Sequence, residues 1–207
     1  MTNILYSDEH IVVAVKRAGL LSEGEGADCF PAILKEKVAC KSIYTVHRLD
    51  RETEGLMVYA LNQKSAAALS ADIANGNFKK IYTALLWGRP EETCGRLCDM
   101  LYYDRKKSKS FVVDRERKGV KQAILDYEVI SSPDGQRTTV RIELQTGRTH
   151  QIRVQFASRG LPLCGDRRYG APKESGKELA LCSTELRFPH PISKKQLDFS
   201  ITPSFTQ

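Results

Sequence analysis

Asp50 is the first residue of this chain that could do chemistry. It stands in TVHRLDRETEGLMVYA (residues 45–60), where His47, Arg48, Asp50, Arg51, Glu52 and Glu54 crowd directly ahead of the apolar run Leu56 to Leu61. A carboxylate in an irregular segment feeding a buried strand is held rigidly, as a nucleophile or general base requires. Burial there raises a carboxyl pKa unless a cation compensates. Taken alone, a turn aspartate making local hydrogen bonds is the simpler reading.

A second stretch, TGRTHQIRV (146–154), could supply that cation. It reads as the start of a helix opened by Gly147 and closed by Gly160, with Arg148, Thr149, His150, Gln151 and Arg153 in its first two turns. Spacings of three and four then place Arg153 on the face of His150 and Thr149. Basic residues at a helix amino terminus oppose the macrodipole, so something anionic is expected to offset that cost. A pairing of Arg153 with Asp50 would keep the carboxylate ionised and oriented. The third candidate, Tyr82 in KKIYTALLWG, is on its own an ordinary buried strand tyrosine. No one of the three decides the matter singly.

The elements that must carry these residues are mostly strands. NILYSDEHIVVAVK breaks at Ser7 to Glu9 as a hairpin would, and Asp28 is placed to cap a short helix burying Phe30, Ile33, Leu34 and Val38. Gly55 to Leu61 is short, apolar and rich in Val and Tyr, a central strand rather than a helix. Asn62 caps a helix whose Ala66, Leu69 and Ile73 share a face, and Gly76 ends it. Beyond Phe78 the alternation in QAILDYEVI and RTTVRIELQT has the period of strands, and LALCSTELRF and QLDFSI finish the chain. Runs of strands with about three helices predict an α+β fold with a mixed, mostly antiparallel sheet. No repeat, low-complexity tract or dividing linker interrupts residues 1–207, so a single domain is expected.

Bulk properties narrow the function classes. With 41% apolar and 28% charged residues among 207, the composition is that of a globular protein with a real core. No basic segment followed by an apolar stretch opens the chain, and no run approaches the roughly 18 apolar residues of a membrane span, so a cytoplasmic, membrane-free protein is expected. Net charge is +7, and Leu101 to Lys121 alone holds eight Lys or Arg against three Asp or Glu, a net of +5. Such a segment favours a polyanion, with a solvated basic hairpin as the bland alternative. The six cysteines lack the spacing of a zinc site and read as free thiols. No metal is predicted.

Together the stretches are specific. HRLDRETEGLMVYA, KKIYTALLWG, TGRTHQIRVQFASRGLPLCGDRRYG and, more loosely, IVVAVKRAGLLSEGEG resemble in order and spacing the motifs of the RluA family of RNA pseudouridine synthases, over about Ile4 to Phe199. The resemblance implies the pseudouridine synthase fold in a single catalytic domain; the separate amino-terminal RNA-binding domain that many members carry is not expected in this chain. It implies a cofactor-free isomerase that converts uridines of ribosomal or transfer RNA to pseudouridine; a monomer is expected. Asp50 would be nucleophile or base, Arg153 its salt-bridge partner, and Tyr82 would stack on or hydrogen-bond the target base. Arg48 would enter the RNA stack where the uridine flips out; His47, Arg148, His150 and Gln151 would support RNA binding.

Two positions depart from the family pattern. Glu54 stands where Ser is usual, and Lys16-Arg17 where Lys-Pro is usual, which bears on substrate fit more than on chemistry. A non-catalytic RNA-binding or chaperone protein on the same scaffold would keep the basic segments without needing Asp50, Tyr82 and Arg153. A phosphotransferase reading of HRLD wants a Gly-rich phosphate loop, for which GLLSEGEG is a poor substitute.

Overall fold

The computed structural model describes residues 2–132 and 134–206. Its backbone groups into two compact units, Met1–Lys80 with Cys182–Gln207, and Ile81–Leu181.

In the first unit β1 (Asn3–Ser7) and β2 (Ile11–Lys16) form the expected hairpin. Its turn is fixed by Asp8, whose Oδ1 accepts the amides of His10 and Ile11 at 2.7 and 2.8 Å. After α1 (Phe30–Lys37) and the two-residue β3 (Tyr44–Thr45) comes β4 (Glu54–Ala60), buried from Gly55 onward as its apolar run requires. β4 lies antiparallel to β2 and β3 and parallel to β10 (Leu181–Pro189), which in turn pairs antiparallel with β11 (Gln196–Ser200). Gly55 permits the parallel contact: its φ is 122°, and a Cβ there would stand 2.4 Å from the backbone N and O of Ser183. Ile11, Val13, Leu56, Val58, Leu69, Phe78, Leu186 and Phe188 form the core, with Phe78 and Phe188 stacked at 4.9 Å. Each such side chain contributes roughly 1.5–3 kcal/mol by leaving water.

Local signals are met unevenly. α2 (Gln63–Ala74) has the expected cap, Asn62 Oδ1 accepting the Ser65 amide at 2.9 Å, and Leu69 is its buried anchor. α1 differs: its N-cap is Cys29, one residue beyond Asp28, and no side chain caps it. Pro31 in the first turn, which lacks an N–H to satisfy, and burial of Phe30 and Leu34 hold this helix instead.

The second unit is an antiparallel sheet ordered β5 (Lys79–Trp87, entering the unit at Ile81), β9 (Arg137–Leu144), β8 (Val120–Ser131), β6 (Cys94–Asp104) and β7 (Lys109–Val113). The inward residues of β8 are Ala123 and Leu125, as the alternation predicts. Val154 of α3 (Gln151–Ala157) packs on Leu101 and Ala123, and Tyr127 meets Phe156 edge-on at 5.5 Å. Among the described residues both parallel and antiparallel pairs occur, with three α-helices, so the fold is α+β with the expected mixture of strand directions. No helix among the described residues is long and apolar enough to cross a membrane.

Candidate active site

The turn that carries Asp50 is held on both sides. Immediately before it, Ser22 Oγ accepts the Leu49 amide at 3.0 Å and donates to the Leu49 carbonyl at 2.7 Å. Ser22 is in turn fixed through its carbonyl, which accepts the Tyr59 hydroxyl at 2.9 Å. Immediately after Asp50, the Arg51 carbonyl accepts Lys16 Nζ at 3.2 Å and the Gly19 amide at 2.7 Å. Thr53 closes the turn by donating its amide to the Asp50 carbonyl at 3.0 Å. Leu49, buried at 7% exposure, anchors the segment to the core.

Lys16 itself is fully buried and donates also to the carbonyls of Arg17 and Leu20, at 3.0 and 2.9 Å. Burial pushes its amine down to about 8, against the attraction of Asp50 and Glu54. The charges ahead of β4 therefore have separate tasks. Arg51 reaches back to the Gly19 carbonyl at 2.8 Å and to Asp28 at 3.3 Å, while Glu54 accepts the Ser204 amide and hydroxyl at 3.1 and 2.7 Å. Glu54 thus holds the segment at Ser204.

Arg48 is exposed and meets Glu23 at 2.8 Å, a solvent-screened pair from which the arginine is easily drawn. His47 points the other way. It is 8% exposed, lies 5.5 Å from the Phe78 ring, and its Nε2 accepts the Val58 amide at 3.1 Å. That bond fixes the tautomer with the proton on Nδ1, and burial together with Lys80 pushes the imidazole down to about 3. In this structure His47 is a neutral strut beneath the turn.

In the second unit Arg153 is 2% exposed and makes a two-bond ion pair with Asp166: Nε to Oδ2 at 2.7 Å and Nη2 to Oδ1 at 2.8 Å. Asp166 is set in place by Gly165, whose φ is 77° and whose Cβ, were there one, would overlap the Glu178 carbonyl. The ring of Tyr169 lies 5.3 Å from the guanidinium carbon. Tyr82, 5% exposed on β5, stands opposite Ile142 of β9.

The helix bearing Arg153 begins later than its sequence predicts. α3 starts at Gln151, and His150, its N-cap, has a left-handed φ of 53°. Arg148 and Thr149 therefore precede the helix, and the face expected to join Thr149 to Arg153 does not form. Gln151 explains the late start: its Oε1 accepts the Thr146 hydroxyl and the Arg148 amide at 2.8 and 3.0 Å, and its Nε2 donates to the Ile124 carbonyl at 3.0 Å. These bonds satisfy the loop better than another helical turn would. Arg148 extends to the Gln122 carbonyl at 2.8 Å, and His150 Nδ1 meets the Tyr169 hydroxyl at 2.9 Å.

The basic segment runs from the end of β6 through β7 into the start of β8, and its first four basic residues, Arg105, Lys106, Lys107 and Lys109, lie in the β6–β7 hairpin. Asp104 Oδ1 accepts the amides of Lys106 and Lys107 at 2.9 and 3.1 Å, leaving both lysine side chains exposed at the tip. The tip is braced by Lys109 on the Arg168 carbonyl at 2.6 Å and by Arg168 on the Ser108 carbonyl at 2.7 Å. Ser22, Lys16, Asp166 and Tyr169 are the supporting residues that sequence reasoning passed over. For Lys16 a charge closing the apolar run IVVAV was the available signal; for the other three there was none of comparable strength.

Comparison with known proteins agrees with this arrangement of motifs. The sequence model of a family described as RNA pseudouridylate synthase matches residues 10–158. The dual-specificity RNA pseudouridine synthase RluA of Pasteurella multocida is 33% identical over 210 residues, covering 98% of this chain and 94% of its own. Its namesake in Vibrio cholerae is 34% identical over 201 residues, covering 92% and 78%. Among solved structures, human RNA Pseudouridylate Synthase Domain Containing 1 superposes with a TM-score of 0.83 at 21% identity, over 99% of this chain and 84% of that one. Human RNA Pseudouridylate Synthase Domain Containing 4 gives 0.79 at 24% identity, over 98% and 89%. At those identities the two structures speak for the fold.

Proposed function

Since the chain belongs to the RNA pseudouridylate synthase family, we propose that it isomerises uridines within structured ribosomal or transfer RNA, without a cofactor, and that Asp50 is the reacting carboxylate. In that reaction the bond from C1′ of the ribose to N1 of uracil breaks and a bond from C1′ to C5 forms. The hydrogen on C5 leaves as a proton and N1 gains one, so atoms and electrons balance without an oxidant, a reductant or hydrolysis. Asp50 attacks the sugar, adds to the ring or takes a proton from the 2′ carbon; each route needs a fixed, ionised carboxylate. Arg153 supplies the cation that keeps it so, and Tyr82 stacks on or hydrogen-bonds the uracil. Arg48 leaves Glu23 to fill the gap in the RNA stack, which offsets part of the few kcal/mol that flipping a base costs. Arg148, His150 and the basic hairpin bind RNA backbone, with Gln151 holding their loop and His47 supporting the turn from below. The protein acts as a cytoplasmic monomer in this reading. The relatives' name, dual-specificity, supports more than one RNA as target.

The observation that carries the proposal is the Asp50 turn, whose backbone is hydrogen-bonded on both sides by buried groups. The test is release of tritium from RNA labelled at C5 of uridine. Wild-type protein is expected to release it and Asp50→Asn to release none. An Asp50→Asn protein that leaves the modification pattern as the wild type does would favour the rival, an RNA-binding protein without chemistry.

A further inference from the structure

Ser22 lies in the GLLSEGEG segment and is given no role of its own in the proposed chemistry, yet its side chain bonds directly to the residue that precedes Asp50. One hydroxyl serves both backbone groups of Leu49, accepting from its nitrogen at 3.0 Å and donating to its oxygen at 2.7 Å. A residue so gripped cannot rotate about its own φ and ψ without breaking one bond or the other, and its carbonyl carbon is the atom to which the Asp50 nitrogen is joined. The hydroxyl is 5% exposed with its residue, so water does not readily replace it. Its position is over-determined: the Ser22 carbonyl accepts Tyr59 Oη at 2.9 Å and Thr45 Oγ1 at 3.4 Å, from β4 and β3 respectively. Tyr59 is itself fully buried against Phe30, ring to ring at 5.9 Å. A chain of contacts thus runs from the hydrophobic core through Tyr59 and Ser22 to the peptide that precedes Asp50.

We propose that Ser22 is a positioning residue for the isomerisation, setting the aim of the Asp50 carboxylate through Leu49. The inference rests on the assignment of Asp50 as the reacting group. It predicts a defect in the chemical step rather than in RNA binding, because Ser22 is buried on the protein side of the turn. Displacement of a reacting group by about 1 Å lowers rates on the order of 100-fold.

The test compares wild type, Ser22→Ala, Ser22→Cys and Leu197→Ala in tritium release from C5-labelled ribosomal and transfer RNA transcripts, with rates followed across RNA concentration and corrected for the folded fraction. Leu197 packs against the core on β11, away from the turn, and serves as a control for lost stability alone. Ser22→Ala is expected to lose roughly 10- to 100-fold in kcat with KM within about 2-fold of wild type, while Leu197→Ala keeps kcat. Ser22→Cys, a weaker donor and acceptor of similar size, should fall between, and it carries the test alone if Ser22→Ala does not fold. A wild-type kcat in the Ser22 variants, a loss confined to KM, or an equal loss in Leu197→Ala overturns the role of Ser22 and leaves the activity standing. No release by wild type overturns the activity assignment and this inference with it.

Discussion

Arg153 and Asp166 face each other edge to edge inside the second unit, with side chains 2% and 0% exposed and two hydrogen bonds of 2.7 and 2.8 Å. The pair spends the Nε and one Nη of the guanidinium on Asp166, so the plane of the arginine is fixed before any second anion meets it. A buried ion pair of this kind adds little net stability, because desolvating both charges opposes their attraction. Breaking it is another matter.

Asp166→Asn keeps the shape of the site but leaves the buried guanidinium without that countercharge. The expected loss is about 3–5 kcal/mol, read as a lower midpoint in urea unfolding at unchanged slope. The double variant Arg153→Met with Asp166→Leu should recover most of this loss while remaining inactive in tritium release. If Asp166→Asn unfolds with the wild-type midpoint, the pair does not hold the charge in place.

His47 should make the protein acid-sensitive in a window set by its own titration. Unfolded, an imidazole protonates near 6.5; folded, burial holds His47 down to about 3. Between those values the unfolded chain binds a proton that the folded one does not, so stability falls as pH drops from about 6.5 towards 3. Between pH 6.5 and 4.5 the wild type should lose about 2 kcal/mol more than His47→Gln, whose amide oxygen can still accept the Val58 N–H. Urea titrations at those two pH values decide it: parallel losses in the two proteins would place His47 outside the acid response.

Lys16 gives a response of the same sign in the alkaline range. Its folded amine lies near 8, pushed down mainly by burial, with Asp50 and Glu54 opposing and Arg51 reinforcing the shift. A base depressed by folding is a cost while it is charged; the cost lifts as pH rises from about 8 to the unfolded value near 10.5. Relative to Lys16→Met, the wild type should therefore gain on the order of 1–2 kcal/mol between pH 8 and 9.5. At pH 7 the variant should still be the less stable of the two, since the carbonyls of Arg17 and Leu20 lose their donor and each buried orphan costs about 1–3 kcal/mol. A pH-independent difference between the two proteins would mean that Lys16 stays charged throughout.

What the sequence disclosed and what it withheld divide along a physical line. The β1–β2 break, the burial of β4, the Asn62 cap and the alternation of β8 are local signals, each set by residues a few positions apart, and each is met. The late start of α3 was not legible, because Gln151 is drawn to Ile124 on β8, 27 residues away. Ser22 with Leu49 and Arg153 with Asp166 were hidden for the same reason: a hydroxyl or carboxylate announces a hydrogen bond but not its partner. The candidate residues themselves were readable as motifs, whereas the groups that hold them still come from pairings that only folding brings together.

The β6–β7 hairpin offers the most direct measure of RNA contact, since its tip is separable from the proposed chemistry. Lys106 and Lys107 are exposed, their backbone amides are satisfied by Asp104, and the hairpin is braced by Lys109 and Arg168 rather than by the tip itself. Replacing both tip lysines with alanine should thus leave unfolding within about 0.5 kcal/mol of wild type. If each lysine neutralises one phosphate, each releases counterions on binding, and the slope of log affinity against log salt should become shallower by about 0.7–0.9 per lysine. Affinity at low salt should fall accordingly while kcat at saturating RNA stays the same, because neither lysine meets the reacting atoms. Filter binding of a labelled transfer RNA transcript between 50 and 200 mM salt, a range over which several phosphate contacts change affinity by orders of magnitude, resolves such a difference. An unchanged slope would move the phosphate contacts off the hairpin tip and leave Arg148 and His150 as the residues to test next.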